Sequence, residues 1–124
     1  MTLVRGIRGA ITVPANDDGE IIKATQLLLK KMMEANCLEI DNLAAVLFSS
    51  TVDLNRAFPA RAARMLGWKH VPLMCQVEID VPGALPRCIR VLMLVNTELK
   101  PEEVRHIYLG EARLLREDLL ADGQ

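Results

Sequence analysis

Leu3-Val-Arg-Gly-Ile-Arg-Gly-Ala-Ile-Thr-Val13, Pro14, and then Asp17-Asp-Gly-Glu-Ile-Ile-Lys-Ala-Thr-Gln-Leu-Leu-Leu-Lys-Lys-Met-Met-Glu-Ala-Asn36 set the fold class. The first part alternates, imperfectly, as a strand does. Val4, Gly6, Arg8, Ala10 and Thr12 fall on one face, with Arg5, Ile7, Gly9, Ile11 and Val13 on the other. Pro14 ends it. The second part has helical period. Asp17 is placed to cap it, and Glu20 stands three positions on, the spacing of a capping box. Ile21, Leu28, Met32 and Ala35 recur at helical spacing, and Ile22, Leu29 and Met33 widen the stripe. Lys23, Lys30, Lys31 and Glu34 lie largely outside it. Asn36 is the expected left-handed stop. An alternating strand beside a long amphipathic helix makes a mixed α/β domain.

Further along, Asp41 opens a turn before a second strand expected over Ala44 to Thr51, and Asp53 to Arg56 reads as a loop. Arg61 to Leu66 gives about two helical turns, with Pro59 near the start and Gly67 closing them. A third strand is expected over His70 to Asp80 and a fourth over Cys88 to Glu98, flanking the turn-rich Val81 to Pro86. Lys100-Pro-Glu-Glu103 reads as a helical turn, and Ile107-Tyr-Leu109 as a short edge strand. The residues after that carry no assignable pattern. The expectation is one domain over residues 1–124, α+β in type, with four or five strands, one long helix and short helical turns.

Composition narrows the class. Apolar residues make up 51% of 124, yet only one Trp, one Tyr and two Phe are among them, so the core must be aliphatic. That much aliphatic surface on a small domain hints at a partner to cover some of it. The net charge of −1 supplies no global field for nucleic acid or an anionic membrane, so recognition of an anion must be local. Three cysteines without CxxC spacing argue against a disulfide framework and against zinc. There is no signal-peptide core and no run of membrane-span length, which leads us to expect a cytoplasmic protein. No phosphate loop, metal-ligand motif or cofactor fingerprint appears. An enzyme of this kind would work by positioning and electrostatics.

Two arginines stand out. Arg8 lies among small residues between two glycines, and Arg90 interrupts Cys88-Ile-Arg-Val-Leu-Met-Leu-Val95, otherwise nearly apolar. Spacing alone leaves Arg90 open: a solvent-facing charge, half of a structural ion pair, or a guanidinium kept on a rigid strand for an anionic ligand. Glu78 is open in the same way, as a surface carboxylate or as the partner of Arg90. Strict alternation places Cys75 and Glu78 on opposite faces of their strand, so they serve one kind of site only across a bulge or across a subunit interface. Cys75 reads as a structural thiol, since neither His70 nor His106 has a visible relation to it.

Val4-Arg-Gly-Ile-Arg-Gly-Ala10, Phe58-Pro-Ala-Arg-Ala62, Gly67-Trp-Lys-His-Val-Pro72, Cys75-Gln-Val-Glu78, Cys88-Ile-Arg-Val91 and Arg105-His-Ile-Tyr-Leu109, in that order, resemble the AroH-class chorismate mutases. The resemblance spans almost the whole chain. It implies a mixed five-stranded sheet with a long helix on one face and a homotrimer forming a pseudo-α/β-barrel. It also implies active sites between neighbouring subunits and a cofactor-free isomerase that turns chorismate into prephenate for phenylalanine and tyrosine biosynthesis. By the same resemblance Arg90 meets the ether oxygen and a carboxylate, Arg8 and Tyr108 bind a carboxylate, and Glu78 accepts the ring hydroxyl. Cys75 lines the site near that hydroxyl. Phe58, Ala60, Arg61, Arg64, Leu73 and Met74 match the opposite wall, and Leu115 and Arg116 match a covering C-terminal segment. Four departures are visible. Arg61 replaces a frequent lysine, and Met74 replaces a small polar residue. The helix before Gly67 is one residue short of some relatives, and no proline follows Arg116. Trimeric imine deaminases share the subunit architecture, and a non-catalytic carboxylate-binding trimer is the rival from another class. The near-neutral charge speaks against a nucleic-acid module.

Overall fold

A computed structural model describes residues 2–115. Strand β1 (Leu3–Thr12) leads into helix α1 (Asp18–Ala35), followed by β2 (Leu43–Ser50), the short helix α2 (Ala60–Met65), β3 (Leu73–Val77), β4 (Cys88–Thr97) and β5 (Ile107–Leu109). Single 3-10 turns lie at Ile40–Asn42, Pro101–Glu103 and Gly110–Ala112. The five strands form one sheet in the order β3-β2-β4-β1-β5. The β2–β4 and β4–β1 pairs are antiparallel, and the β2–β3 and β1–β5 pairs are parallel.

The alternation of β1 sorts its side chains as expected. Ile7, Gly9 and Ile11 are buried on one face, while Val4, Gly6 and Arg8 are exposed on the other. Helix α1 begins where Asp17, in extended conformation, accepts the Glu20 backbone N–H at 3.0 Å. It buries Ile21, Ala24, Thr25, Leu28, Leu29 and Met32 against the sheet. Each large aliphatic among them contributes about 1.5–3 kcal/mol of transfer free energy. The helix seats very closely on β1: a Cβ at Gly9 would run into the Met32 sulfur and lie 3.2 Å from Leu28. An alanine there would have to push the buried ends of Met32 and Leu28 aside. The same face of the sheet carries Val46, Phe48, Ile89, Val91, Met93 and Val95, and this is the main core.

The helix stops differently from the expectation. Asn36 is not left-handed (φ −109°); the left-handed residue is Cys37, one position later, at φ 51°. Asn36 is buried instead, and its side chain works as a clamp. Its amide nitrogen donates to Met32 O and Arg105 O, both at 2.9 Å, and its oxygen accepts the Arg105 backbone N–H at 2.8 Å. The end of α1 is thereby tied to the segment that enters β5. Asn36→Ala would strand both backbone groups of Arg105, which costs about 2–3 kcal/mol. Urea unfolding at fixed protein concentration should show this as a lower midpoint; an unmoved midpoint would mean that water replaces the clamp.

Strand β3 is shorter than the sequence pattern suggested, five residues in place of His70 to Asp80. Pro72 lacks an N–H to pair, and beyond Val77 only the Glu78 N–H continues the ladder, donating to Ser50 O at 2.9 Å. The second face of the sheet is covered at one end only. There Ala10, Cys88 and Ala112 are buried beneath Leu85, Tyr108 and Leu115. Elsewhere it is open, with Val4 57%, Met74 56% and Leu92 38% exposed. No helix among the described residues is long and apolar enough to cross a membrane.

Candidate active site

The open face carries the charged residues. One register row runs across all five strands, with Tyr108 opposite Ala10, Ala10 opposite Arg90, Arg90 opposite Ser49 and Ser49 opposite Gln76. With neighbouring strands about 4.8 Å apart, Tyr108 and Arg90 stand about 10 Å from each other across β1. Between them lies only the methyl group of Ala10, 1% exposed. A small residue in the middle strand makes the floor low. Arg8, two residues before Ala10, projects from the same face. The result is a cavity of about 400 Å³ lined by Arg8, Ala10, Ser49, Arg90, Tyr108 and Leu115, among others.

Its electrostatics are simple. Arg8 and Arg90 bring two permanent cations to one concave surface. Glu78 is the counter-charge, and it is held at a single atom. Its Oε2 lies 3.2 Å from Arg90 Nε and accepts the Ser49 hydroxyl at 2.8 Å. Both charged side chains keep access to solvent, 49% for Arg90 and 27% for Glu78, so the pair is available to a ligand and not sealed in the core. The Arg8 backbone N–H donates to His106 Nδ1 at 2.9 Å, which joins β1 to the entry of β5. Burial pushes the Cys88 thiol up, with Arg90 pulling the other way. Cys88 therefore stays protonated and packs as a small apolar residue beneath the site.

The residues singled out in the sequence fall into separate groups within one chain. Arg8, Arg90, Tyr108 and Leu115 share the cavity, and Glu78 is bonded to Arg90 at its rim. Phe58, Arg61 and Cys75 line a second cavity of about 460 Å³ beyond the edge strand β3. Cys75 is on the core side, its sulfur accepting the Ala60 N–H at 3.4 Å, and Ala60 itself is buried. Cys75 and Glu78 thus lie on opposite faces, as alternation required. Arg64 and Leu73 line a third hollow beside Trp68 and Lys69. Met74 is exposed on the same face as Leu47, its register partner. Arg116 lies outside the described residues. The sequence reading missed Ser49 and Gln76, which reach the cavity through register across strands, and His106, which meets Arg8 from 98 residues away; none of the three leaves a local signal.

This arrangement can hold a dianion between Arg8 and Arg90, accept a hydroxyl at Glu78, and present guanidinium donors at a fixed place. Among the described residues no three His, Cys, Asp or Glu side chains converge to hold a metal ion. A family model, chorismate mutase type I, matches residues 4–119. The chorismate mutase AroH of Thermus thermophilus is 54% identical over 118 residues, covering 94% of this chain and 97% of that protein. Its counterpart in Bacillus subtilis (strain 168) is 44% identical over 118 residues, covering 94% and 93%. The solved structure of a chorismate mutase from Clostridium thermocellum superposes with a TM-score of 0.88 at 50% identity, covering 89% of this chain and 98% of that one.

Proposed function

The chain belongs to the chorismate mutase type I family, and on that premise we propose that it converts chorismate to prephenate over the open face of its sheet. The reaction is an intramolecular Claisen rearrangement. The ether C–O bond breaks as a C–C bond forms, six electrons move in a ring, and no proton leaves or enters. It is unimolecular and redox-neutral, so it asks for no cofactor. As the C–O bond breaks, negative charge gathers on the ether oxygen. A donor aimed at that oxygen is worth more in the transition state than in the ground state, and this difference raises the rate.

One observation carries the reading: Arg90 stands on a rigid central strand with its Nε committed to Glu78. That leaves its two Nη groups for the ether oxygen and a carboxylate. Arg8 and Tyr108, from the neighbouring strands, hold a carboxylate, and Glu78 accepts the ring hydroxyl. Leu115, followed by Arg116, helps to cover the site. Holding the extended substrate in its compact, chair-like form removes further conformational entropy from the barrier.

A homotrimer completes the site. The exposed Val4, Met74 and Leu92 need cover, and Phe58, at 71% exposed, is a large aromatic without enough neighbours in its own chain. The cavity with Arg90 and the cavity with Phe58, Arg61 and Cys75 are different surfaces, which suits a head-to-tail ring closing into a barrel-like trimer. The family resemblance assigns Ala60, Arg64, Leu73 and Met74 to the same wall; in this chain Arg64 and Leu73 line the neighbouring hollow, Ala60 is buried against Cys75, and Met74 stands on the open face at the edge strand. The 124 residues act as one domain. The enzyme is cytoplasmic, and its place is in aromatic amino acid biosynthesis. The test is conversion of chorismate by the purified protein, with prephenate identified as the product. Turnover is expected. A correctly assembled protein that binds chorismate and leaves it unchanged would overturn the assignment.

A further inference from the structure

Glu78 is the first residue beyond β3. Two donors hold it here, on one oxygen: Ser49 Oγ at 2.8 Å and Arg90 Nε at 3.2 Å. Those anchors are not equivalent. Arg90 also has to hold the substrate through its Nη groups, so a carboxylate held by Arg90 alone would shift with every adjustment of that guanidinium. Ser49 has no such second duty. It sits in β2, between the strand that ends at Glu78 and the strand that bears Arg90, and is opposite Arg90 and Gln76 in register. Its backbone is fixed by the sheet on both sides, and it follows Val46-Leu-Phe48, a stretch that offers no other side-chain donor. It is also short enough to line the cavity without filling it.

We propose that Ser49 is a positioning residue of the mutase reaction: its hydroxyl pins Glu78 Oε2 so that Oε1 faces the ring hydroxyl of chorismate independently of Arg90. The inference rests on the function proposed above. The hydroxyl donates to the carboxylate in the resting enzyme and keeps donating while Arg90 engages the substrate through its Nη groups. Removing it leaves Glu78 on the Arg90 Nε alone, with more rotational freedom, and fewer molecules bind substrate in the reactive pose.

Ser49→Ala should lower kcat/KM about tenfold, the scale of one hydrogen bond to a charged group. Ser49→Thr keeps the hydroxyl and suits a strand, so it should recover most of that loss. A purely structural role is separated by a double-mutant cycle with Glu78→Ala. Without the carboxylate there is nothing to pin, and Ser49→Ala should then cost no further activity. Equal losses in both backgrounds would overturn the inference, as would a Ser49→Ala enzyme with full kcat/KM. Should Ser49→Ala fail to fold, Ser49→Cys, with a weaker donor of similar size, takes its place in the cycle under the same two criteria. The wild-type assay separates the two levels. Chorismate turnover that is indifferent to Ser49 removes only this role, whereas no turnover in the wild type removes it together with the function it serves.

Discussion

Arg90→Ala lowers kcat by about 10²–10³ or more, with a much smaller change in KM. The asymmetry follows from where the charge is. Chorismate already carries two carboxylates when it binds, and Arg8 and Tyr108 remain to hold one of them. The ether oxygen becomes strongly negative only as the C–O bond breaks, so the donor aimed at it is missed mainly in the transition state. The fold should survive the change. Arg90 is half exposed and its pairing with Glu78 is open to water, so the truncation opens no core cavity, and such a pair contributes at most about 1 kcal/mol. A thermal midpoint near that of the wild type, beside a collapsed kcat, is the combined result to look for. Near-normal kcat in a folded, assembled variant would take Arg90 out of this role, and the ether oxygen would then need another donor.

Local chemistry was readable in the sequence, and long-range pairing was not. The α1 cap at Asp17, the buried stripe from Ile21 to Met32 and the two faces of β1 follow from period and capping, which act within a few residues. Asn36 shows the limit. Its type signalled a helix end, but its side chain is spent on Arg105, 69 residues away, and the left-handed turn passes to Cys37. Spacing left Arg90 and Glu78 open between surface charge, ion pair and ligand site; it took the sheet order to put β2 between them and β1 beside Arg90. The quartet of Arg8, Glu78, Arg90 and Tyr108 was named by family resemblance. Ser49, which touches Glu78 across 29 residues, was found only through register. A serine in a strand has no pattern of its own.

Mixing two inactive variants should produce an active enzyme. One partner carries Arg90→Ala; the other carries Arg61→Ala together with Arg64→Ala. Arg61 and Arg64 are three residues apart on α2 and both exposed, and neither lines the cavity that holds Arg90. In the proposed head-to-tail trimer each site takes its Arg90 side from one chain and its α2 side from the next. A chain with Arg90→Ala still offers a sound α2 wall, and a chain lacking both α2 arginines still offers a sound Arg90 face. In a one-to-one random mixture, about a quarter of the sites combine two sound halves, because each half is sound in half of the chains. Activity should therefore rise from near zero to about a quarter of wild type once subunits exchange or the variants are co-expressed. Each variant alone stays inactive, so the gain cannot come from either parent. Mixed trimers confirmed by native mass spectrometry, yet no more active than the sum of the two variants, would put both halves of the site in one chain. The second cavity, beyond β3, would then need a different explanation for its exposed Phe58 and for Arg61.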